Sequence, residues 1–280
     1  MRVYKTKHGI ILEKKEDLFL LENESWDNFI NDDNLYDKAE KAISKLKPNA
    51  ASRDSLLKDI QAPIQNQEVW ASGVTYLRSK VGRQEESKTA GGSDFYARVY
   101  EAERPELFFK ATPNRVVGPG GKVRIRRDST WDVPEPELTL VITSKGNIVG
   151  YTIGNDMSSR SIEGENPLYP PQAKTYDGCA GLGPCIYVTK EPLPPNTIIQ
   201  LHIERDNKKV FEGSIAIDQI KRTFKELAGF LFRETTFPNG CFLMTGTGIV
   251  PGSDFTLQPN DKVSITIAPI GTLVNVVDRA

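Results

Sequence analysis

Apolar positions along the chain change rhythm twice. Over VYKTKHGIILE they alternate on either side of Gly9, which predicts a short hairpin. Two helical stretches follow, near 33–46 and 52–59, with Pro48 and Asn49 between them. From Val69 onward short strand-like runs are separated by glycine and proline. One helix interrupts them near 218–233. There Ile217, Ile220, Phe224, Leu227, Ala228 and Leu231 form a single apolar stripe, with Asp218 as N-cap, and the stripe reads as core. The segment LRSKVGRQEESKTAGGSDFYAR (77–98) is polar and ends its charged run at Gly91-Gly92. A helix and mobile loop covering a site fits this pattern, and so does a solvated surface helix. The expected class is α+β, with a small N-terminal α/β domain over 1–62 and a main domain over 63–280.

The stretch EPELTLVITSKGNIVGYTIGNDMSSR sets up the candidate chemistry. If Lys145-Gly146 forms an even-numbered turn, Ile142 falls opposite Val149, Leu140 opposite Tyr151 and Leu138 opposite Ile153. One face of the hairpin is then uniformly apolar, which is how a register is specified. The other face carries Glu137 opposite Gly154 and Glu135 opposite Asp156. Three carboxylates converge at one end. Like charges facing each other in a sheet repel, and burial raises the cost of ionising them. A divalent cation turns that repulsion into attraction, and all-oxygen ligands select Mg²⁺, Mn²⁺ or Ca²⁺. Solvated acids at an exposed hairpin end need no ion, and an odd-numbered loop would carry Asp156 to the other face. The register also places Pro134 and Pro136 away from the ligand face, where no ladder N–H is required.

Composition narrows the classes. The 280 residues carry a net charge of −1, 38% hydrophobic and 26% charged residues, so nothing favours nucleic acid or an anionic membrane as partner. No apolar run approaches the ~20 residues of a membrane span, and the charged N-terminus is unlike a signal peptide. Three separated cysteines, Cys179, Cys185 and Cys241, suit a reducing cytoplasm better than a disulfide framework or a zinc site. His8 and His202 are the only histidines.

The block from Pro105 to Pro184 resembles the fumarylacetoacetate hydrolase family. The residues that carry the likeness are PELFFKATPNRVVGPG (105–120), EPELTLVI (135–142), GYTIGNDMSSR (150–160) and KTYDGCAGLGP (174–184). MTGTGIVPG (244–252) and IGTLVN (270–275) extend it, so it covers about residues 62–280. The resemblance implies a mixed β-roll, a Mg²⁺ held by Glu135, Glu137 and Asp156, a chelating 2-oxo acid substrate, and Lys174 in the site. It also implies a homo-oligomer, for which a tetramer is expected.

Members of such a family share activation of the 2-oxo acid and diverge in the bond that then breaks. Hydrolases of the family place a histidine on the lid to activate water. In GVTYLRSK (73–80), aligned on Tyr76, that position holds Ser79. Elimination is therefore favoured over carbon–carbon hydrolysis. The resemblance carried by WDVPEPELTL, IEGENPLY (162–169) and QAK (172–174) implies dehydration of 2-dehydro-3-deoxy-D-arabinonate to 2,5-dioxopentanoate. An acylpyruvate or β-diketone hydrolase, or a dehydratase of another 2-keto-3-deoxy sugar acid, is the alternative. Lys174 is the candidate base, and Glu106 the candidate acid unless it pairs with Lys110 or an arginine. Arg78, Ser79, Phe109 and Thr272 are candidate substrate contacts, with Arg83 on the lid beside them. Asn155 and Arg160 are expected to support Asp156, and Asp177 and Gly178 to shape the loop after Lys174.

Overall fold

The computed structural model describes residues 1–51, 53–86 and 93–279, the side chains of residues 56, 83–86 and 93–96 excepted. The N-terminal segment forms strands β1 (Arg2–Thr6), β2 (Gly9–Lys14) and β3 (Asp17–Leu21), then helices α1 (Trp26–Ile30), α2 (Leu35–Ile43) and α3 (Arg53–Leu57). Next come β4 (Glu68–Gly73), α4 (Leu77–Glu86), α5 (Ser93–Glu101), β5 (Glu106–Ala111), β6 (Val116–Val117) and β7 (Lys122–Ile125). The long pair β8 (Asp132–Ile142) and β9 (Ile148–Ser159) leads into α6 (Arg160–Glu165), α7 (Pro170–Lys174) and β10 (Ala180–Tyr187). The chain finishes with β11 (Ile198–Arg205), β12 (Lys208–Ala216), α8 (Phe224–Leu231), β13 (Cys241–Met244), β14 (Lys262–Ile267) and β15 (Gly271–Arg279).

Among the described residues the strands build two mixed sheets. The larger runs β3-β2-β1-β10-β9-β8-β13-β4-β5, with β6 also on β10, and the smaller runs β12-β11-β14-β15-β7. The N-terminal hairpin joins the larger sheet through β1 and β10, pairing Arg2 with Tyr187 and Val3 with Ile186. Its helices pack their apolar side chains, Trp26, Phe29 and Leu35, into one core with Val141, Phe242 and Met244. The second core lies between the sheets. Leu138, Leu140 and Ile153 meet Leu201 and Ile265 there. Burying each such leucine completely stabilises the fold by about 2 kcal/mol. Both faces of β8 are thus covered, and every residue of it is buried.

The β8–β9 register is the predicted one over the functional end: Glu135 faces Asp156, Glu137 faces Gly154 and Leu138 faces Ile153. The turn is not. Thr143 N–H donates to Asn147 O, and Gly146, at φ +83°, closes a three-residue loop. Ile142 therefore faces Ile148 rather than Val149. A one-residue bulge at Val149 then restores the predicted pairing from Val141–Gly150 onward. The prolines also sit where expected. Pro134 and Pro136 alternate with the glutamates, on the opposite face. Their nitrogens share the side of the Leu138 carbonyl, which accepts from Thr245 N–H, and β13 pairs only with Thr139–Ile142. Among the described residues no strand pairs with the prolines on that side to miss a donor.

The helix expected over 218–233 starts later. Residues 217–219 form a single 3₁₀ turn, and α8 begins after Thr223, whose hydroxyl accepts from Glu226 N–H at 3.1 Å. Thr223 and Glu226 have capping-box spacing, a stronger start signal than Asp218. Helix α1, capped by Ser25, is an additional element.

Candidate active site

The predicted strand pairing gathers the carboxylates. Glu135, Glu137 and Asp156 are 5%, 1% and 1% exposed, and each offers an oxygen within 4.8 Å of the others. Gly246, at φ +92° in the turn after β13, donates its N–H to Glu137 Oε2 at 2.5 Å. Burial first, then Asp156 and Glu135, push the Glu137 carboxyl well above the ordinary carboxylate range.

Three cations are buried against this cluster. Lys174, at the end of α7, places Nζ 2.7 Å from Glu135 Oε2, 3.1 Å from Asp156 Oδ2 and 2.5 Å from Ser158 Oγ. Lys110, on β5, places Nζ 2.6 Å from Asp156 Oδ1 and donates to the carbonyls of Met157 and Lys174. Arg160 opens α6 straight after β9 and donates Nη2 to Glu135 Oε1 at 2.6 Å. A fourth carboxylate, Glu163, lies 3.6 Å from Lys174 and 3.8 Å from Arg160. The trio offers three hard oxygen ligands with no nitrogen or sulfur among them. Those donors fit Mg²⁺ or a similar hard cation.

The cavity above the trio is lined by Ser72, Gly73, Val74, Ser79, Phe108 and Thr247, together with Arg160 and Lys174. Wider clefts lie elsewhere, one over Arg124, Arg126 and Tyr176, but they contain none of these carboxylates.

Not every candidate reaches the cavity. Lys174 and the trio do. Ser79 lines it, but its hydroxyl accepts from Tyr76 N–H and donates to Tyr76 O, closing the first turn of α4. Arg78 is exposed on α4 and does not line the cavity. The side chain of Arg83 and residues 87–92 of the expected lid, Gly91-Gly92 included, lie outside the described residues. Phe109 faces the other way, edge-on to Trp70 at 6.0 Å. The neighbouring Phe108 forms the wall. Side chains alternate along β5, so Glu106, Phe108 and Lys110 share one face and Phe109 the other. That period was the available signal for Phe108 and Lys110. Thr272 lies in the smaller sheet, exposed, with its hydroxyl 2.9 Å from that of Thr266. Asn155 is buried on the face of β9 opposite Asp156, and Arg160 holds Glu135 rather than Asp156. Asp177 reaches Arg115 and Arg124 beside Gly178, at φ +70°. His8 is exposed beside Asp59 and His202 half-buried beside Glu204, and neither lines the cavity.

Glu106 sits at the edge of the cavity. Gly73 lines the cavity, and a Cβ there would lie 2.0 Å from Glu106 Oε2. Lys110 is held by Asp156 and by the carbonyls of Met157 and Lys174.

Residues 69–278 match the family model for the fumarylacetoacetate (FAA) hydrolase C-terminal region. The chain belongs to the fumarylacetoacetate hydrolase family. It is 48% identical over 214 residues to a probable 2-keto-3-deoxyxylonate dehydratase of Haloferax volcanii, a match covering 76% of this chain and 73% of that one. It is 45% identical over 234 residues to the 2-dehydro-3-deoxy-D-arabinonate dehydratase of Saccharolobus solfataricus, covering 80% and 78%. The fold is similar to a solved 2-keto-3-deoxy-D-arabinonate dehydratase complexed with magnesium and 2,5-dioxopentanoate. That likeness has a TM-score of 0.84 at 36% identity and covers 100% of this chain and 99% of the other.

Proposed function

We propose that this chain is a hydro-lyase that converts 2-dehydro-3-deoxy-D-arabinonate to 2,5-dioxopentanoate, with Mg²⁺ held by Glu135, Glu137 and Asp156. The observation that carries the reading is the buried carboxylate trio with Lys174 in contact, in a chain 45–48% identical to dehydratases of such acids. In the D series, 2-keto-3-deoxyxylonate and 2-keto-3-deoxyarabinonate are one compound, because only the shared C4 centre survives. Mg²⁺ at the trio supplies Lewis-acid polarisation of a 2-oxo acid.

The chain's own groups do the rest. Lys174 Nζ, in its amine form, takes a proton from C3, and Glu106 gives one to the C4 hydroxyl as it departs as water. The C3–H and C4–O bonds break and a C3=C4 double bond forms. Transfer of a proton from C5 to C3 then moves the double bond to C4=C5, and the resulting enol becomes the aldehyde as its hydroxyl proton passes to C4. Phe108 walls the cavity against bulk water, and Arg160 fixes the orientation of Glu135. The functional protein is read as a cytoplasmic homo-oligomer, a tetramer. Exposed Leu77, Val81, Leu168 and Tyr169 supply apolar surface for subunit contacts, and no helix among the described residues is long and apolar enough to cross a membrane.

Purified protein with Mg²⁺ is expected to release 2,5-dioxopentanoate from this acid, to stop in EDTA, and to resume when Mg²⁺ is restored. Cleavage of an acylpyruvate without turnover of the sugar acid refutes the reading.

Gly73→Ala tests Glu106 without deleting it. The added methyl forces the end of a flexible side chain aside. The variant is expected to fold, to bind Mg²⁺ as wild type does, and to lose turnover by up to about a hundredfold, the usual cost of displacing a reacting group by an ångström. Wild-type kcat would remove Glu106 from the scheme.

A further inference from the structure

Glu163 has no task in the dehydration scheme. It lies on α6, is 2% exposed, and reaches toward two site cations: Oε1 is 3.6 Å from Lys174 Nζ and Oε2 is 3.8 Å from Arg160 Nε. It does not belong to the trio, whose ligand atoms lie within 4.8 Å of one another. Desolvating a carboxylate costs several kcal/mol, so a fourth acid behind a site already crowded with three calls for a physical reason.

Lys174 supplies the reason. Among the described residues it makes three short contacts, and two of them, Glu135 at 2.7 Å and Asp156 at 3.1 Å, are with trio members. A divalent cation draws on those same oxygens and repels an ammonium group beside them. The third contact, Ser158 Oγ at 2.5 Å, is an uncharged hydroxyl. Among the described residues, Glu163 is the acid within 4 Å of Nζ that is not also a trio ligand.

We propose that Glu163 is a positioning residue. It is a second seat for the ammonium of Lys174, so that a divalent cation can take Glu135 and Asp156 while Lys174 stays in the cavity. The proposal rests on the reading of the trio as a cation site.

The test is calorimetric titration of Mg²⁺ into EDTA-stripped full-length protein in four forms: wild type, Glu163→Gln, Lys174→Met and the double variant. In the glutamine variant Lys174 is left on the trio oxygens and competes with the metal. Mg²⁺ affinity is expected to fall roughly tenfold or more, the scale seen when outer partners of metal ligands are removed. Lys174→Met is expected to bind at least as tightly as wild type. In that background the Glu163→Gln loss is expected to shrink to about threefold or less, the non-additivity of groups acting through one another. Wild-type affinity in Glu163→Gln, or an equal loss in both backgrounds, overturns the proposal. If Glu163→Gln does not fold, Glu163→Asp takes its place in the cycle. A smaller loss that vanishes with Lys174→Met supports the second seat, and an equal loss in both backgrounds refutes it. Wild-type protein that takes up no Mg²⁺ refutes the trio reading, and the proposal with it.

Discussion

Lys174→Met is expected to lower kcat by about a hundredfold to ten-thousandfold, the range a positioned proton-transfer group contributes. The substitution keeps an unbranched side chain of similar length and removes only the ammonium. Nζ is fully buried and hydrogen-bonds Glu135, Asp156 and Ser158, so its loss takes a cation away from the trio. Mg²⁺ binding should therefore survive while turnover does not. Steady-state kinetics alongside metal titration separates the two. A variant that keeps a tenth of wild-type kcat would strip Lys174 of its place in proton transfer.

The second large effect concerns stability as well as activity. Asp156 is the partner of two buried lysines, at 2.6 Å from Lys110 and 3.1 Å from Lys174. Asp156→Asn removes one charge from between two, leaving buried ammonium groups short of a counter-ion. Breaking such a pair from one side costs about 3–5 kcal/mol. Denaturant unfolding in EDTA should show that loss, and Mg²⁺-dependent turnover should disappear. Glu137→Gln makes the opposite case among the same three ligands. Its carboxyl already resists ionisation because of burial and its acidic neighbours, and the Gly246 N–H can donate to an amide oxygen equally well. Metal-free Glu137→Gln is expected to stay within about 1 kcal/mol of wild type, since a neutral group of the same shape replaces one that is costly to ionise. Its Mg²⁺ binding should nonetheless be lost. Equal stability losses in the two variants would contradict this arrangement of charges.

The contrast between Glu137 and Asp156 was not legible in the sequence, whereas their meeting was. Side chains repeat every two residues along a strand, so one hairpin register fixed all three ligands at once. The surrounding cations come from other elements. Lys110 arrives from β5, three places from β8 and four from β9 across the sheet, and Lys174 from the end of a five-residue helix. No local period links either of them to Glu135. Within β5 the alternation that brings Lys110 inward also selects Phe108 over Phe109, so that exchange could have been read from Glu106 alone. Thr272 and Asn155 failed for a different reason. A motif fixes neither the sheet a residue ends in nor the face of a strand it points from. The start of α8 was readable from Thr223 and Glu226, but the apolar stripe continues upstream through Ile220 and Ile217, which pack outside the α-helix.

The hairpin loop and the Val149 bulge behave like two frameshifts that suppress each other. The odd loop alone would turn every side chain of β9 over, and the bulge alone would do the same. Together they leave the downstream phase, and hence Asp156, unchanged. Deleting one residue from 144–146 should scramble the site unless Val149 is deleted as well. Sequences that differ in length at this hairpin should therefore be read for paired changes: a shorter turn is compatible with the metal ligands when the bulge has gone with it.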